Sequence, residues 1–263
     1  MSIVDRPLVA PDRKTFGFRP LKVLKHFRRL LADKEDTEQV FHIIEALKGR
    51  KSHQQAWEFI NSPNGERLMQ EQTDLAAMLD DHNRWADCGP TSVAQHYIEF
   101  MKREGLTAAG LVAESHKWLP LEKRPLDKTE WYFERLRDTH DLFHVLTGYN
   151  RDGLGELCLL GFSYEQNHNL GILFIAYAGA RNGLKEINTK APFMDAIREG
   201  RFLGKLAQKI AHQDIEALMH EDISDARRRL NIGKPVKYRE CIEILFEEGL
   251  HDEQMIRAEK LAA

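Results

Sequence analysis

Cysteine is scarce in this chain, long apolar runs are missing and the charges nearly cancel, and each shortage removes a class of protein. Cys88, Cys158 and Cys241 are far apart, odd in number and without a Cys-x-x-Cys spacing, which excludes a disulfide framework or a thiolate metal site and fits a reducing compartment. The longest apolar stretch, 171–180, is about ten residues against the roughly twenty that span a bilayer, so any membrane contact is expected to be peripheral. A formal net charge of −3 offers no bulk attraction for nucleic acid. The stretch 1–16 carries Asp5 and Asp12 among its basic residues and has no apolar centre, unlike a secretory signal or transit peptide. Internal repeats and low-complexity tracts are lacking, and no alternating β-type segment exceeds a few residues. That leaves an all-α class.

What remains is an ordinary soluble composition, 42% apolar and 30% charged over 263 residues, enough for one domain with a substantial core. Residues 1–19 are expected to be extended, since Pro7 and Pro11 interrupt them. Over 20–32 the residues Leu21, Leu24, Phe27, Leu30 and Leu31 recur at helical spacing and are expected inward, with Lys22, Lys25, His26, Arg28 and Arg29 on the other face. Such a basic amphipathic helix either lies on an anionic membrane or presents a solvated face over packed core, and the second is the commoner case. Further helices are expected over 37–47, from a Ser52 cap to 60, and over 75–79, 93–103 and 108–117. Ser62-Pro63-Asn64-Gly65 reads as a turn. Asp127 or Thr129 caps a helix continuing through 147. The span 154–180 is one long helix or two abutting ones, ended by Arg181-Asn182-Gly183, and 193–219 returns as another. A helical extension follows over 233–263.

The chemistry-bearing stretch begins at Arg137. At about 100° per residue, His144 lies about 40° around the helix from His140, and Asp141 about 60° beyond it, so the three share one arc. Glu156 would sit roughly 18 Å further along a continuous helix. Gly148, Asn150, Asp152, Gly153 and Gly155 break the helix, however, and a reversal there returns Glu156 to the histidines on an antiparallel partner. Two imidazoles and two carboxylates suit zinc, iron, manganese or a similar divalent ion, without choosing among them. The competing reading is a surface His140–Asp141 pair beside a satisfied core His144. Arg137, one turn ahead of Asp141, either binds an anionic substrate group or pairs with Asp138 or Glu134. Gly161 and Gly171 thin the apolar helix surface for close packing or for a groove.

The pattern His140-Asp141-x2-His144-x11-Glu156, set in Leu136-Arg137-Asp138-Thr139-His140-Asp141-Leu142-Phe143-His144-Val145-Leu146-Thr147-Gly148-Tyr149 and followed by Gly155-Glu156, resembles the signature of the coenzyme Q biosynthesis protein 4 family. In outline the likeness runs over 20–232, with 233–263 as an addition. The resemblance implies a single-domain multi-helix bundle with a metal site between two antiparallel helices, acting in ubiquinone biosynthesis. It implies a divalent ion held by His140, Asp141, His144 and Glu156, which are also the implied catalytic residues, in the oxidative decarboxylation (C1 decarboxylation and hydroxylation) of a prenylated hydroxybenzoate-derived ring. The prenyl tail would run beside Gly161, Gln166 and Gly171, with Arg137 near the ring. Implied partners are the prenylated precursor and other ubiquinone enzymes, with no nucleic acid and with a homodimer left open. The implied location is cytoplasmic and peripheral at the inner face of the membrane. A non-catalytic organiser that presents prenylated intermediates to other enzymes is the alternative. A His-Asp phosphohydrolase fits least, because that family needs a separate upstream His and a distant downstream Asp.

Overall fold

The computed structural model describes residues 2–33, 36–251 and 253–259; the parts of the expected N-terminal segment and C-terminal extension at 1, 252 and 260–263 lie outside them. Among the described residues there is no strand beyond a single bridge between Ser92 and Asp222. The all-α class holds. Among the described residues sixteen α-helices follow one another: α1 (Pro20–Ala32), α2 (Thr37–Ala46), α3 (Arg50–Ile60), α4 (Pro63–Glu71), α5 (Leu75–Asp80), α6 (Val93–Glu104), α7 (Ala108–Trp118), α8 (Lys128–Asp138), α9 (His140–Thr147), α10 (Gly153–Asn167), α11 (Leu170–Glu186), α12 (Phe193–Leu206), α13 (Ile215–His220), α14 (Ile223–Arg229), α15 (Val236–Glu247) and α16 (Glu253–Glu259).

Side-chain caps set many of the starts. Ser92, Thr107, Asp127, Asp152 and Asn169 each accept an N–H from the first turn of α6, α7, α8, α10 and α11, satisfying donors a helix start would otherwise leave orphaned. Ser62 does the same for Gly65 at 3.1 Å with Pro63 in the first helical position, so the expected turn is a helix start instead. Helix α3 begins at Arg50, ahead of the expected Ser52 cap, with Gly49 as its N-cap.

Two expected continuous helices are interrupted, and of the two forms expected for 154–180 the divided one is found. The span to 147 breaks at Thr139 (φ −88°, ψ 3°), whose hydroxyl donates to Arg135 O at 2.8 Å and so competes with the backbone pattern. The span 154–180 is two helices, divided where His168 adopts the left-handed region (φ 54°), and α11 runs on through Arg181-Asn182-Gly183 to Glu186. The span 193–219 is α12 as far as Leu206, then a short 3-10 turn at Ile210–His212 and α13: Gln208 N donates to Leu230 O at 2.8 Å, out of the helical pattern, and the buried Arg135 guanidinium takes the carbonyls of Ala211, at 2.5 Å, and Gln213 around that turn. The orientation of α1 also differs. Val23, His26, Phe27 and Leu30 point inward while Leu21 and Leu24 are 83% and 44% exposed. His26 is accommodated inside by a 2.7 Å contact with Gln39.

The largest apolar cluster joins α5, α6, α9, α10 and α12 with the C-terminal helices. A second joins α1 and α2 to Ile175 of α11, and a third joins α3 and α4 to Tyr132 of α8. A cavity of about 1540 Å³ lies among them, lined by Phe27 and Leu30 of α1, Val40 of α2, Phe133 and Leu136 of α8, Leu157 and Leu160 of α10, and Ile172 and Ile175 of α11.

Candidate metal centre

Helix α9 begins at His140, so His140, Asp141 and His144 fall within its first two turns and project from one arc. Their potential ligand atoms all lie within 4.8 Å of one another. Gly148, at φ 77°, ends α9 in the left-handed conformation glycine adopts without strain. The chain then reverses over 148–152, and Asp152, itself accepting a short hydrogen bond from the Tyr238 hydroxyl, caps α10. One turn into α10, Glu156 places Oε1 3.4 Å from His144 Nε2. The four residues singled out by spacing are brought together.

His144 is held in one tautomer. Its Nδ1 donates to Tyr149 O at 2.9 Å, which leaves Nε2 as the free nitrogen. That Nε2 is buried and faces Glu156 Oε1 at 3.4 Å without a well-formed hydrogen bond, an atom placed to ligate an ion. Phe100 of α6 stacks on the ring at 5.4 Å between centroids.

The charges around these groups also suit a cation. Burial, and then the neighbouring His144, push His140 below its ordinary pKa, favouring the neutral imidazole that binds metals. Burial works against the charged form of Glu156, but His144, His140 and Arg151 outweigh it and hold the carboxyl down at about 2. Burial likewise works against protonated His144, and is outweighed by Glu156 and Asp141, so its pKa is raised. A divalent ion would displace that one proton. The donors are nitrogen and carboxylate oxygen, and the residues present fit such an ion.

Of the other residues expected to contact substrate, Arg137 lines the cavity with His140, Asp141 and Glu156. It also pairs with Asp138 at 2.7 Å and donates to Ser115 Oγ at 3.0 Å. Gln166 is buried between segments, its amide donating to Gly204 O at 2.9 Å and accepting from Ile210 N at 3.0 Å. A Cβ on Gly161 would stand 3.0 Å from Ile197 O of α12, and one on Gly171 2.7 Å from Ile44 Cα of α2. These three therefore sit in helix contacts, apart from the four-residue cluster. Phe100, Arg151 and the Tyr149 carbonyl were not among the expected site residues. Arg151 Nε lies 3.5 Å from Glu156 Oε1. Phe100 carries a helical-stripe signal, but nothing in its spacing reveals the imidazole it covers.

A family model described as coenzyme Q (ubiquinone) biosynthesis protein Coq4 matches residues 31–236. The mitochondrial ubiquinone biosynthesis protein COQ4 of Ajellomyces capsulatus (strain G186AR) is 23% identical over 206 residues, covering 76% of this chain and 69% of that protein. Its namesake in Yarrowia lipolytica is 23% identical over 185 residues, with coverage of 70% and 67%. A solved structure from Nostoc punctiforme PCC 73102, named for ubiquinone biosynthesis, superposes with a TM-score of 0.59 at 21% identity, covering 83% of this chain and all of that one, a likeness of fold. With the family model spanning most of its length and the four-residue cluster within the match, the chain belongs to the coenzyme Q biosynthesis protein Coq4 family.

Proposed function

We propose that this protein acts in ubiquinone biosynthesis as a metal-dependent oxidative decarboxylase, replacing the C1 carboxylate of a prenylated hydroxybenzoate-derived ring with a hydroxyl group. The observation that carries the reading is that His140, Asp141 and Glu156 stand on the wall of a cavity whose lining elsewhere includes Phe27, Leu30, Val40, Leu160 and Ile175. A molecule with a chelating polar head and a long hydrocarbon tail satisfies both features at once.

His140, Asp141, His144 and Glu156 hold the ion, with the Tyr149 carbonyl keeping His144 Nε2 available. Bound there, the ion supplies a Lewis acid for the ring's carboxylate or phenolate oxygen. Arg137 supplies a cation on the same wall for the anionic head. Glu156, its carboxyl held down at about 2 beside His144, serves this reading as an anionic ligand rather than as a base. Exchanging a ring carboxylate for a hydroxyl releases carbon dioxide and is a two-electron oxidation, so dioxygen or another two-electron oxidant is a co-substrate. Substrate-binding roles for Gly161, Gln166 and Gly171 act in this reading through the helix contacts that shape the cavity. Among the described residues no helix is long and apolar enough to cross a membrane, and in this reading contact with the lipid substrate is peripheral.

The second reading, an organiser that carries prenyl intermediates to other ubiquinone enzymes, draws support from the cavity's size. At about 1540 Å³ it exceeds the roughly 300–1,000 Å³ of common ligand pockets. Metal analysis and single-turnover assay on the purified protein separate the two. The enzyme reading expects about one divalent ion per chain, conversion of a carboxylated prenyl precursor, and loss of both in His144→Ala. A metal-loaded protein that binds the precursor and never converts it would leave only the organiser.

A further inference from the structure

We propose that residues 14–29 form a docking surface for an anionic lipid bilayer, placed at the rim of the cavity. Sequence supplies the charge. Between Asp12 and Asp33 the chain has no acidic residue and carries Arg13, Lys14, Arg19, Lys22, Lys25, Arg28 and Arg29, within a protein of net charge −3. Arg13 is consumed by a buried pair with Asp127 at 2.6 Å. Lys14, Arg19, Lys25, Arg28 and Arg29 are exposed and Lys22 half-buried.

The structure supplies the apolar component. Of twelve exposed large apolar residues among those described, four crowd into nine positions: Phe16 at 58%, Phe18 at 67%, Leu21 at 83% and Leu24 at 44%. Scattered exposed apolar side chains are normal, whereas a contiguous group marks an interaction surface. On α1, Leu21, Lys25 and Arg28 fall within an arc of about 60°, so the basic and apolar groups share one outer face.

This surface is held in place. Gly17 N donates to Lys48 O at 3.2 Å and Arg19 N to Ala46 O at 3.0 Å, while the Arg13 pair ties the preceding residues to the start of α8. The Arg50 guanidinium lies 5.5 Å from the centroid of Phe16. The nearby acid Glu45 is already paired with Arg19 at 3.5 Å and Lys48 at 2.5 Å, leaving the outward charge positive.

Apolar side chains set among lysines and arginines are complementary to anionic headgroups over acyl chains. A symmetric second copy would instead bring like charges face to face. The inner face of α1 contributes Phe27 and Leu30 to the cavity, and Lys14, Arg19 and Lys22 line it as well, so docking sets the cavity rim against the bilayer. The whole patch precedes the residues matched by the family model, 31–236. The proposal rests on the prenyl-lipid reading for its purpose and on surface chemistry alone for its mechanism.

The test is co-sedimentation of the full chain with vesicles of phosphatidylcholine alone or mixed with phosphatidylglycerol, at low and high salt. Wild type is expected to bind the mixed vesicles at least about tenfold more tightly, with the difference shrinking in salt. The double variant Lys25→Glu/Arg28→Glu should lose that advantage, and Leu21→Ser, at the most exposed of the four apolar positions, should weaken binding while leaving the circular dichroism spectrum unchanged. His144→Ala, run alongside, should bind vesicles like wild type, so failure of the catalytic reading leaves this result standing. Wild type that ignores the mixed vesicles, or folded variants that bind them equally well, would overturn the proposal. So would sedimentation showing that Leu21→Ser turns a dimer into a monomer without touching vesicle binding, because the face would then be covered by a second copy.

Discussion

His144 is constrained by Phe100 across its ring, the Tyr149 carbonyl at Nδ1 and Glu156 beside Nε2. A histidine positioned by surroundings this specific tolerates little change. His53 is the contrasting case, a buried imidazole set against Phe133 and Trp57 whose Nε2 has no partner. Burial is the main cause that pushes its pKa down, with Lys48 and Arg13 adding to it and the Gly49 carbonyl opposing, to about 4. The unfolded chain therefore binds this proton near pH 6.5 and the folded chain near 4. The stability tied to the neutral ring is fully present above pH 6.5 and is lost as pH falls through 4, up to about 3 kcal/mol. Thermal melts of wild type and His53→Phe across that window should diverge, with the variant the flatter. Parallel slopes would show that His53 is not the titrating group. The identities of the four clustered residues were legible in sequence because two histidines and an aspartate on one helical arc form a local pattern. The tautomer of His144 was not, since it depends on a carbonyl beyond the helix end.

Helix lengths were legible where caps are local and illegible where a distant group decides. Asp127 announces α8 in sequence, whereas α12 ends at Leu206 where Gln208 N turns to Leu230 O across the fold, ahead of a turn whose carbonyls at 211 and 213 Arg135 captures. Close packing of α10 on α12 has the same character. A Cβ added to Gly204 would lie 2.4 Å from Phe162 O, and since backbone cannot yield like a flexible side chain, Gly204→Val must force the helices apart. We expect a loss of at least about 2 kcal/mol in stability by denaturant titration. Because Gln166 bonds to Gly204 O and Ala207 O, that variant should also loosen the end of α10. A neutral outcome would mean α12 can shift freely.

Across the whole molecule, the cavity is bounded by parts far apart in sequence, from Lys14 and α1 at one end of the chain to Leu245 and Met255 at the other. Leu160 packs against both the main cluster and the α1–α2 cluster and lines the cavity one turn beyond Glu156. Leu160→Trp adds bulk to the tail path without touching the four clustered residues. Affinity for a prenylated ligand should fall about tenfold, the order expected for losing one to two well-packed apolar contacts, with metal content unchanged. Undiminished affinity would place the tail elsewhere.

Sequence by itself determined the all-α class, the family resemblance and the four residues of the centre, because helical periodicity, capping and a short ligand spacing are local properties of the chain. It also held the uninterrupted positive charge of 13–32, but not which way that helix faces. Only tertiary structure decided that Leu21 and Leu24 turn outward while His26 turns in, that Gly161 and Gly171 serve helix contacts, and that the cluster opens onto an apolar cavity. Those outcomes depend on which surfaces meet, and packing between distant segments leaves no periodic signal in any one of them.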